Sequence, residues 1–147
     1  MADELPPMTL QAIGVVRNEV EETPDKSEWW AETISEIVID SSLTDALDGL
    51  KENSAIIVLY WMHRLTTDEV RLKIHPRGRQ GIPLRGLFAT RTPNRPNRIG
   101  QMTVRLLRRQ GNVLTVRGLD ALNGTPVIDI KPYSAGYDSI DDTEVPR

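Results

Sequence analysis

The chain of 147 residues has no cysteine, only two histidines and few aromatic residues. Without cysteine it forms neither disulfides nor thiolate nucleophiles, and zinc sites built from cysteine and histidine are excluded. No apolar run approaches the eighteen or so residues of a membrane span, and the acidic start lacks the basic and apolar regions of a signal peptide. We therefore expect a cytoplasmic protein with no membrane partner, whose chemistry uses arginine, aspartate, tyrosine, histidine, backbone groups or a bound cofactor.

The sequence also lacks GxGxxG, P-loop and GxSxG motifs, which argues against a dinucleotide-binding Rossmann site and a serine hydrolase. Instead it carries some seven or eight short runs of β-branched or alternating residues and one brief helical segment that begins near Ser42. Short strands at such close spacing indicate an all-β sandwich or barrel. The length fits one domain.

Three of these runs bear on a candidate site. Residues 55–63 are almost wholly apolar and predict a central strand that ends in a histidine, and residues 84–90 predict another strand. Trp29 and Trp30 are adjacent, and in a strand they would point to opposite faces. One of them would then pack in the core while the other is exposed or covers a ligand.

The least ordinary stretch is FATRTPNRPNRIG at residues 88–100, where two prolines and two asparagines are interleaved with three arginines. Proline fixes φ and cannot donate to a sheet, so this stretch predicts a stiffened loop. It lies within residues 71–109, which hold eleven lysines or arginines and no acid, although the whole chain has a net charge of −3. This segregation predicts a local site for an anionic partner, either nucleic acid or a phosphate-bearing molecule.

Four stretches, taken together, resemble the TsaA-like domain family. They are similar in order to its opening IGVVR strand, its central strand ending in histidine, its FATRS-x-x-RPNPIG signature and its GLDALDGTPVxDIKPY block. The matching stretches here are IGVVR at 13–17, IVLYWMH at 57–63, the loop at 88–100 and RGLDALNGTPVIDIKPY at 117–133.

The resemblance implies a single antiparallel β-barrel of about seven or eight short strands with one or two short helices. We expect one domain over residues 1–147, with a core at about 10–135 and an acidic tail at 136–147. The implied activity is that of an S-adenosylmethionine-dependent methyltransferase that acts as a homodimer with the cofactor near the interface. Family members of this kind methylate N6 of threonylcarbamoyladenosine beside the anticodon of tRNA, so tRNA is the expected partner.

The resemblance also implies which residues bind. The positions that match its cofactor contacts are His63, Arg64, Arg91, Gln101, Gly118, Leu119 and Asp120. For the substrate we predict Arg77, Arg79, Arg95, Asn97, Arg98, Asp129, Lys131 and Tyr133. No metal is expected, because a sulfonium is already an activated methyl donor. The catalytic residue stays open, with Asp129 and Tyr133 both able to accept the N6 proton.

The chain departs from the family pattern in three places. Arg98 stands where the signature closes with proline, Ser54-Ala55 stands where a Ser-His pair is frequent, and a PRQ-type segment after the first strand is absent. These departures leave two alternatives open. One is a methyltransferase on the same barrel with a different small or RNA substrate, and the other is a non-catalytic barrel that binds RNA or a nucleotide.

Overall fold

The alternating runs form strands that close into one antiparallel barrel. The computed structural model describes residues 4–64, 67, 69–76 and 79–140. Within these residues the strands are β1 (Gly14–Arg17), β2 (Ile34–Ile39), β3 (Ala55–Trp61), β4 (Lys73–Ile74), β5 (Arg85–Gly86), β6 (Ile99–Gln110), β7 (Val113–Arg117) and β8 (Pro126–Pro132). The barrel order is β1-β2-β7-β6-β3-β8, while β4 and β5 form a separate two-stranded sheet. The predicted fold class is confirmed, with six of these strands in the barrel wall.

Four short helices accompany the strands within the described residues. They are three 3₁₀ helices at Trp29–Glu32, Ser41–Leu47 and Leu87–Ala89, and α1 at Ala135–Asp138. The helix at Ser41–Leu47 begins after Asp40, whose carboxylate accepts a hydrogen bond from the Ser42 backbone N–H at 2.9 Å. This is the usual way to satisfy a free amide at a helix start. No helix among the described residues is long and apolar enough to cross a membrane.

The central strand β3 lies between β6 and β8, and this position explains why its sequence is apolar. Ile56, Val58 and Tyr60 project into the barrel and are buried, as alternation along a strand requires. Ile57 faces the other way and is still only 6% exposed. Because both faces of β3 are covered, its sequence lacks the polar alternation of an ordinary barrel strand. The strand ends at Trp61, two residues before His63.

The connection from β7 to β8 crosses one end of the barrel. Gly118 has φ of +100°, a conformation that glycine adopts at little cost, and it turns the chain out of β7. Leu119 is fully buried and Ala121 is 4% exposed, and both belong to the core. The residue between them, Asp120, is left at the surface. The connection therefore plugs the barrel with two apolar side chains and presents a carboxylate from a rigid support.

Two expected strands take another form. Trp29 and Trp30 lie in a 3₁₀ helix and both are half-buried, so the prediction that they alternate across a strand is wrong. The Thr33 hydroxyl donates to the Trp29 carbonyl at 3.0 Å, a local hydrogen bond that competes with sheet pairing. Similarly, residues 84–90 form only the short β5 and a 3₁₀ turn, closed by the Thr90 hydroxyl on the Leu87 carbonyl at 2.7 Å.

Candidate functional site

Three ionisable side chains meet where β3 ends and the β7–β8 connection crosses the barrel. Burial raises the pKa of Tyr60, the nearby Asp120 carboxylate raises this pKa further, and the Arg91 guanidinium lowers it. Burial likewise raises the pKa of Asp120, although this residue is exposed overall, and Arg91 again acts in the opposite direction. The three side chains therefore feel each other's charge. We call them the Tyr60–Arg91–Asp120 cluster.

Tyr60 forms the floor of this cluster. The residue is 5% exposed, and its ring belongs to the barrel core. Its hydroxyl makes no hydrogen bond to any described residue, yet the described part of the chain has no buried side-chain N or O atom without a partner. The hydroxyl therefore reaches the surface while the ring stays inside. It is available to a ligand as a donor or an acceptor.

The Tyr60 ring fits because its partner on β6 is Gly100. A Cβ atom added at Gly100 would lie 2.6 Å from Cε2 and 2.7 Å from Cζ of that ring. No side chain fits at that distance without displacing the ring or the strand. This glycine near the start of β6 thus marks close packing of an aromatic ring.

We expect Gly100→Ala to destabilise the fold by about 1–3 kcal/mol, because it overpacks a filled core. Chemical denaturation of Gly100→Ala and of Gly86→Ala measures this cost, since Gly86 has no atom within 4 Å of an added Cβ and lies on a strand. In a Tyr60→Leu background the cost of Gly100→Ala should become smaller. An equal cost in both backgrounds would contradict the clash with the ring.

Arg91 is held in the cluster by a hydrogen bond to the first part of β6. Its Nη2 donates to the Gln101 carbonyl at 2.6 Å, and Gln101 itself is exposed on the outer face of β6. One hydrogen bond to a carbonyl leaves four guanidinium N–H donors. Of the predicted cofactor residues, Arg91 and Asp120 act on Tyr60, and Gln101 contributes by holding Arg91 through its backbone carbonyl. Gly118 and Leu119 belong to the same connection. Gly118 is half-buried and can offer backbone groups to a ligand, whereas Leu119 is 0% exposed and supports the connection from inside.

His63 and Arg64 lie at the same barrel end but are engaged differently. His63 is half-buried against Gly124, where an added Cβ would lie 3.8 Å from His63 Nε2. Burial lowers the pKa of His63 and the charge of Arg64 lowers it further, against a hydrogen bond with the Trp61 backbone. The ring thus favours its neutral form. Arg64 pairs with the Glu21 carboxylate at 3.0 Å and also donates to the Glu21 carbonyl.

A network of polar side chains fixes the exit from β1 to this end of the barrel. The Asn123 amide donates to Glu21 at 3.0 Å, and its carbonyl accepts from the Asn18 backbone N–H at 3.1 Å. Asn18 in turn donates to the Ser35 hydroxyl and to the Ala121 carbonyl. The network ties the segment after β1 to both sides of the β7–β8 connection.

The arginine-rich loop at residues 88–100 is braced by its own side chains. Arg95 donates to the carbonyls of Thr90 and Thr92 at 3.1 and 3.0 Å, and its guanidinium lies 5.9 Å from the centre of the Phe88 ring. Arg95 therefore stabilises the loop, while the ring of Phe88 is 81% exposed. Asn97 accepts from the Ile99 backbone N–H, and Arg98 accepts from the Met62 backbone N–H, both at 2.8 Å and both through their carbonyls.

The other predicted substrate residues do not form one group. Lys131 and Asp129 pair with each other at 3.3 Å on β8, and Tyr133 follows that strand with 38% of its surface exposed. Arg79 is exposed in the basic loop, where its carbonyl accepts from Ile82 at 3.2 Å. The predicted contact at Arg77 lies outside the described residues. Within the described ranges no group of three or more histidines and acids could hold a metal ion.

Two grooves lie among the described residues, and one of them adjoins this end of the barrel. The larger, about 560 Å³, runs between the exit from β1 and the start of β2, where Asn18, Thr33 and Ser35 line it. The Thr33 carbonyl accepts from the Gly118 backbone N–H at 3.1 Å, so this groove adjoins the β7–β8 connection. The smaller, about 270 Å³, lies between His75 and Asn94. The Tyr60–Arg91–Asp120 cluster lines neither groove and is open to solvent.

The central position of Tyr60 in the cluster is not apparent from its place in an apolar run. A tyrosine there is read as core, which describes its ring correctly and misses its hydroxyl. The one available signal was Gly100, a glycine at the start of a strand, which indicates close approach by another group. The strand pairing that joins the two residues is a tertiary property.

Comparison with known proteins supports a relation over most of the chain. The model of the tRNA-methyltransferase O N-terminal domain family matches residues 14–139. A probable S-adenosyl-L-methionine-binding protein from Methanothermobacter thermautotrophicus is 44% identical over 134 residues, which cover 89% of this chain and 93% of that protein. A second protein of this description, from Archaeoglobus fulgidus, is 41% identical over 139 residues, or 92% of this chain and 37% of its own length.

The solved structures agree with this relation. The crystal structure of TrmO from Pseudomonas aeruginosa superposes with a TM-score of 0.72 at 29% identity and covers 93% of this chain. The chain spans 60% of that structure, and 37% of the Archaeoglobus fulgidus relative. Both of those proteins therefore have substantial parts with no counterpart here.

Proposed function

This chain belongs to the family of the tRNA-methyltransferase O N-terminal domain, and from that membership we propose that it binds S-adenosylmethionine and transfers its methyl group to tRNA. The observation that carries the proposal is the Tyr60–Arg91–Asp120 cluster. It places both signs of charge and a free hydroxyl together at one end of the barrel. The relatives named for S-adenosylmethionine binding support the same cofactor.

The residues present fit this cofactor by their chemistry. Arg91 has donors left for the carboxylate of the methionine end, because its one hydrogen bond is to the Gln101 carbonyl. Asp120 is a carboxylate acceptor for ribose hydroxyls or for an ammonium group. Asp120 is exposed, but partial burial raises its pKa, so a ligand that donates hydrogen bonds to this carboxylate replaces hydration that the carboxylate has lost. The cofactor itself supplies an activated methyl group.

We propose that the protein's own contribution to methyl transfer is to position the two reactants. The β7–β8 connection is fixed by Leu119 and Ala121 in the core and by Asn18 from outside, so Asp120 has little freedom to move. The methyl acceptor that we propose is N6 of threonylcarbamoyladenosine next to the anticodon. Asp129 and Tyr133 remain the two candidates for accepting the N6 proton. The homodimer with the cofactor near its interface stays a prediction.

The decisive experiment has two steps. Titration calorimetry with S-adenosylmethionine should show binding by the wild-type chain and a loss of about tenfold or more in Arg91→Ala, because a charged hydrogen bond is removed. Arg71→Ala is the matched control, since Arg71 is an exposed arginine that pairs with Glu69 at 3.1 Å. Absence of binding by the wild type would reject both enzyme hypotheses and leave the non-catalytic barrel.

The second step identifies the acceptor. Labelled S-adenosylmethionine is incubated with the protein and with tRNA that either carries or lacks threonylcarbamoyladenosine. We expect label only in the modified tRNA, at N6 of that nucleoside. Equal labelling of both tRNAs would reject this acceptor and favour another substrate on the same barrel.

A further inference from the structure

Two arginines face each other on the outer wall of the barrel. Arg105 of β6 and Arg117 of β7 are direct partners in the register of the two strands, and both are exposed. Residues directly opposite in an antiparallel pair have Cβ atoms about 4.5–5.5 Å apart, and like charges at such positions are destabilising. The fold thus holds two positive charges together at a cost to its own stability.

Neither arginine of this pair forms an ion pair with an acid of the described chain. Arg105 donates to the Asn53 carbonyl at 2.9 Å, and Arg117 makes neither an ion pair nor a side-chain hydrogen bond within the described residues. Arg109, further along β6, shows the contrast, because it pairs with Asp48 at 2.7 Å and contacts Glu52. Arg109 thus has acid partners, whereas Arg105 and Arg117 have none within the described residues. The acid on the neighbouring strand β2, Glu36, lies between Thr115 of β7 and Arg17 of β1.

A register shift in β6 adds a third cation to this face. Leu106 lies opposite Val116, but the next pair joins Arg108 to Thr115, so the pairing skips Leu107. Arg108 is exposed and has no ion-pair partner in the part of the chain that the structure describes. A bulge is a usual device for re-aiming a side chain. Arg105, Arg108 and Arg117 form what we call the β6–β7 arginine strip.

We propose that the β6–β7 arginine strip binds backbone phosphates of RNA, as a contact surface separate from the Tyr60–Arg91–Asp120 cluster. The proposal rests on the proposed function only in naming tRNA as the RNA. Guanidinium groups fixed on neighbouring strands hold phosphate oxygens bidentately, and a bound phosphate removes the repulsion between Arg105 and Arg117. The acid-free stretch of the sequence runs from Arg71 to Leu119 and so includes all three arginines, but only strand pairing brings Arg117 beside Arg105.

The surroundings favour RNA over a lipid surface. The neighbours of the strip on the outer wall include Thr103, which is exposed, and Thr115, which is half-buried. Hydroxyl side chains donate readily to phosphate and sugar oxygens. A membrane surface would instead need apolar side chains beside the cations, and the one nearby, Ile34 opposite Arg117, is 50% exposed and alone.

The test measures tRNA binding by fluorescence anisotropy at several salt concentrations between about 50 and 200 mM, without cofactor. Each phosphate contact contributes about 0.7–0.9 to the slope of log affinity against log salt. For Arg105→Gln/Arg117→Gln we expect the slope to fall by about 1.4–1.8 and the affinity at low salt to fall about tenfold or more. The thermal midpoint should not fall, because like charges are removed.

The matched control is Arg17→Gln/Arg71→Gln, which removes the same charge from two arginines that face acids. Arg17 of β1 lies opposite Glu36 of β2, and Arg71 pairs with Glu69. Its slope should stay at the wild-type value. An unchanged slope in the strip variant, an equal fall in the control, or no tRNA binding by the wild type would each overturn the proposal. So would loss of binding to phosphatidylserine vesicles in the strip variant with tRNA binding intact. Because no methyl transfer is needed, tRNA binding that depends on the strip stands even if the proposed activity fails.

Discussion

Leu119→Ala should lower the free energy of unfolding by about 2–5 kcal/mol, the range for truncation of a fully buried leucine. Leu119 is 0% exposed although it lies in a connection between strands, and it packs into the same core as the barrel residues. The connection is also tied from outside by Asn18 on the Ala121 carbonyl, so it has little freedom to collapse into the space left behind. Truncation of a buried side chain costs most stability where the surrounding structure cannot collapse into the cavity.

Urea denaturation of Leu119→Ala against wild type measures this loss. Leu84→Ala is the control, because Leu84 is 55% exposed and its truncation should change stability by no more than about 0.5 kcal/mol. Under native conditions the folded fraction of Leu119→Ala should also bind S-adenosylmethionine more weakly, since Asp120 loses its rigid support. A loss of stability below about 1 kcal/mol would show that Leu119 does not anchor the connection.

Asp120→Asn should weaken S-adenosylmethionine binding and stabilise the free protein. A hydrogen bond to a charged group is worth about 1.5–3 kcal/mol, so we expect the affinity to fall about tenfold to a hundredfold. Free of ligand, the Asp120 carboxylate is exposed but has lost part of its hydration, and this partial burial raises its pKa. Replacing it with a neutral side chain of the same shape removes that penalty. A residue that costs stability and improves binding is typical of a functional site.

The raised pKa of Asp120 determines how the stability of the protein changes with pH. Because the pKa of Asp120 is higher in the folded than in the unfolded chain, the folded state binds the proton more tightly. Stability therefore falls as the pH rises from the unfolded pKa of about 3.9 through the raised folded pKa, and is constant above it. The stabilising effect of Asp120→Asn should be absent in strong acid and fully developed at neutral pH.

Thermal unfolding at several pH values, with calorimetry at neutral pH, tests both parts of this prediction. Asp45→Asn provides the control, because Asp45 is an exposed acid in the helix at the opposite end of the barrel. It should leave both the affinity and the pH profile unchanged. If Asp120→Asn bound the cofactor as tightly as the wild type, the Tyr60–Arg91–Asp120 cluster would not be the cofactor site.

Much of the barrel could be predicted from local patterns. The alternation of residues 33–40 and the apolar run at 55–63 correspond to β2 and β3, and residues 102–117 form the β6–β7 hairpin. These segments were predictable because burial of one or both strand faces directly selects the residue types. The failures, such as the strand expected through Trp29 and Trp30, occurred where side-chain hydrogen bonds to the backbone decided the local conformation.

The charge pattern was a weaker guide to the site. The acid-free segment suggested one basic surface, but the structure divides it among different roles. Arg71 and Arg109 form ion pairs with acids from outside the segment, Arg95 braces its own loop, and Arg91 faces the cluster. A segregated charge run therefore indicates an anionic partner without showing which of its arginines face that partner.

The sequence by itself determined the all-β class, the central strand, the stiff arginine-rich loop and, through its resemblance, the family. Each of these follows from residues close together in the chain, where propensity and alternation act. Only the tertiary structure decided that Tyr60 fits over Gly100, that Arg91 and Asp120 act on its hydroxyl, and that Arg117 lies against Arg105. The physical reason is register: a shift of one residue in a strand pair turns each side chain to the opposite face, and register is set by the closed barrel as a whole.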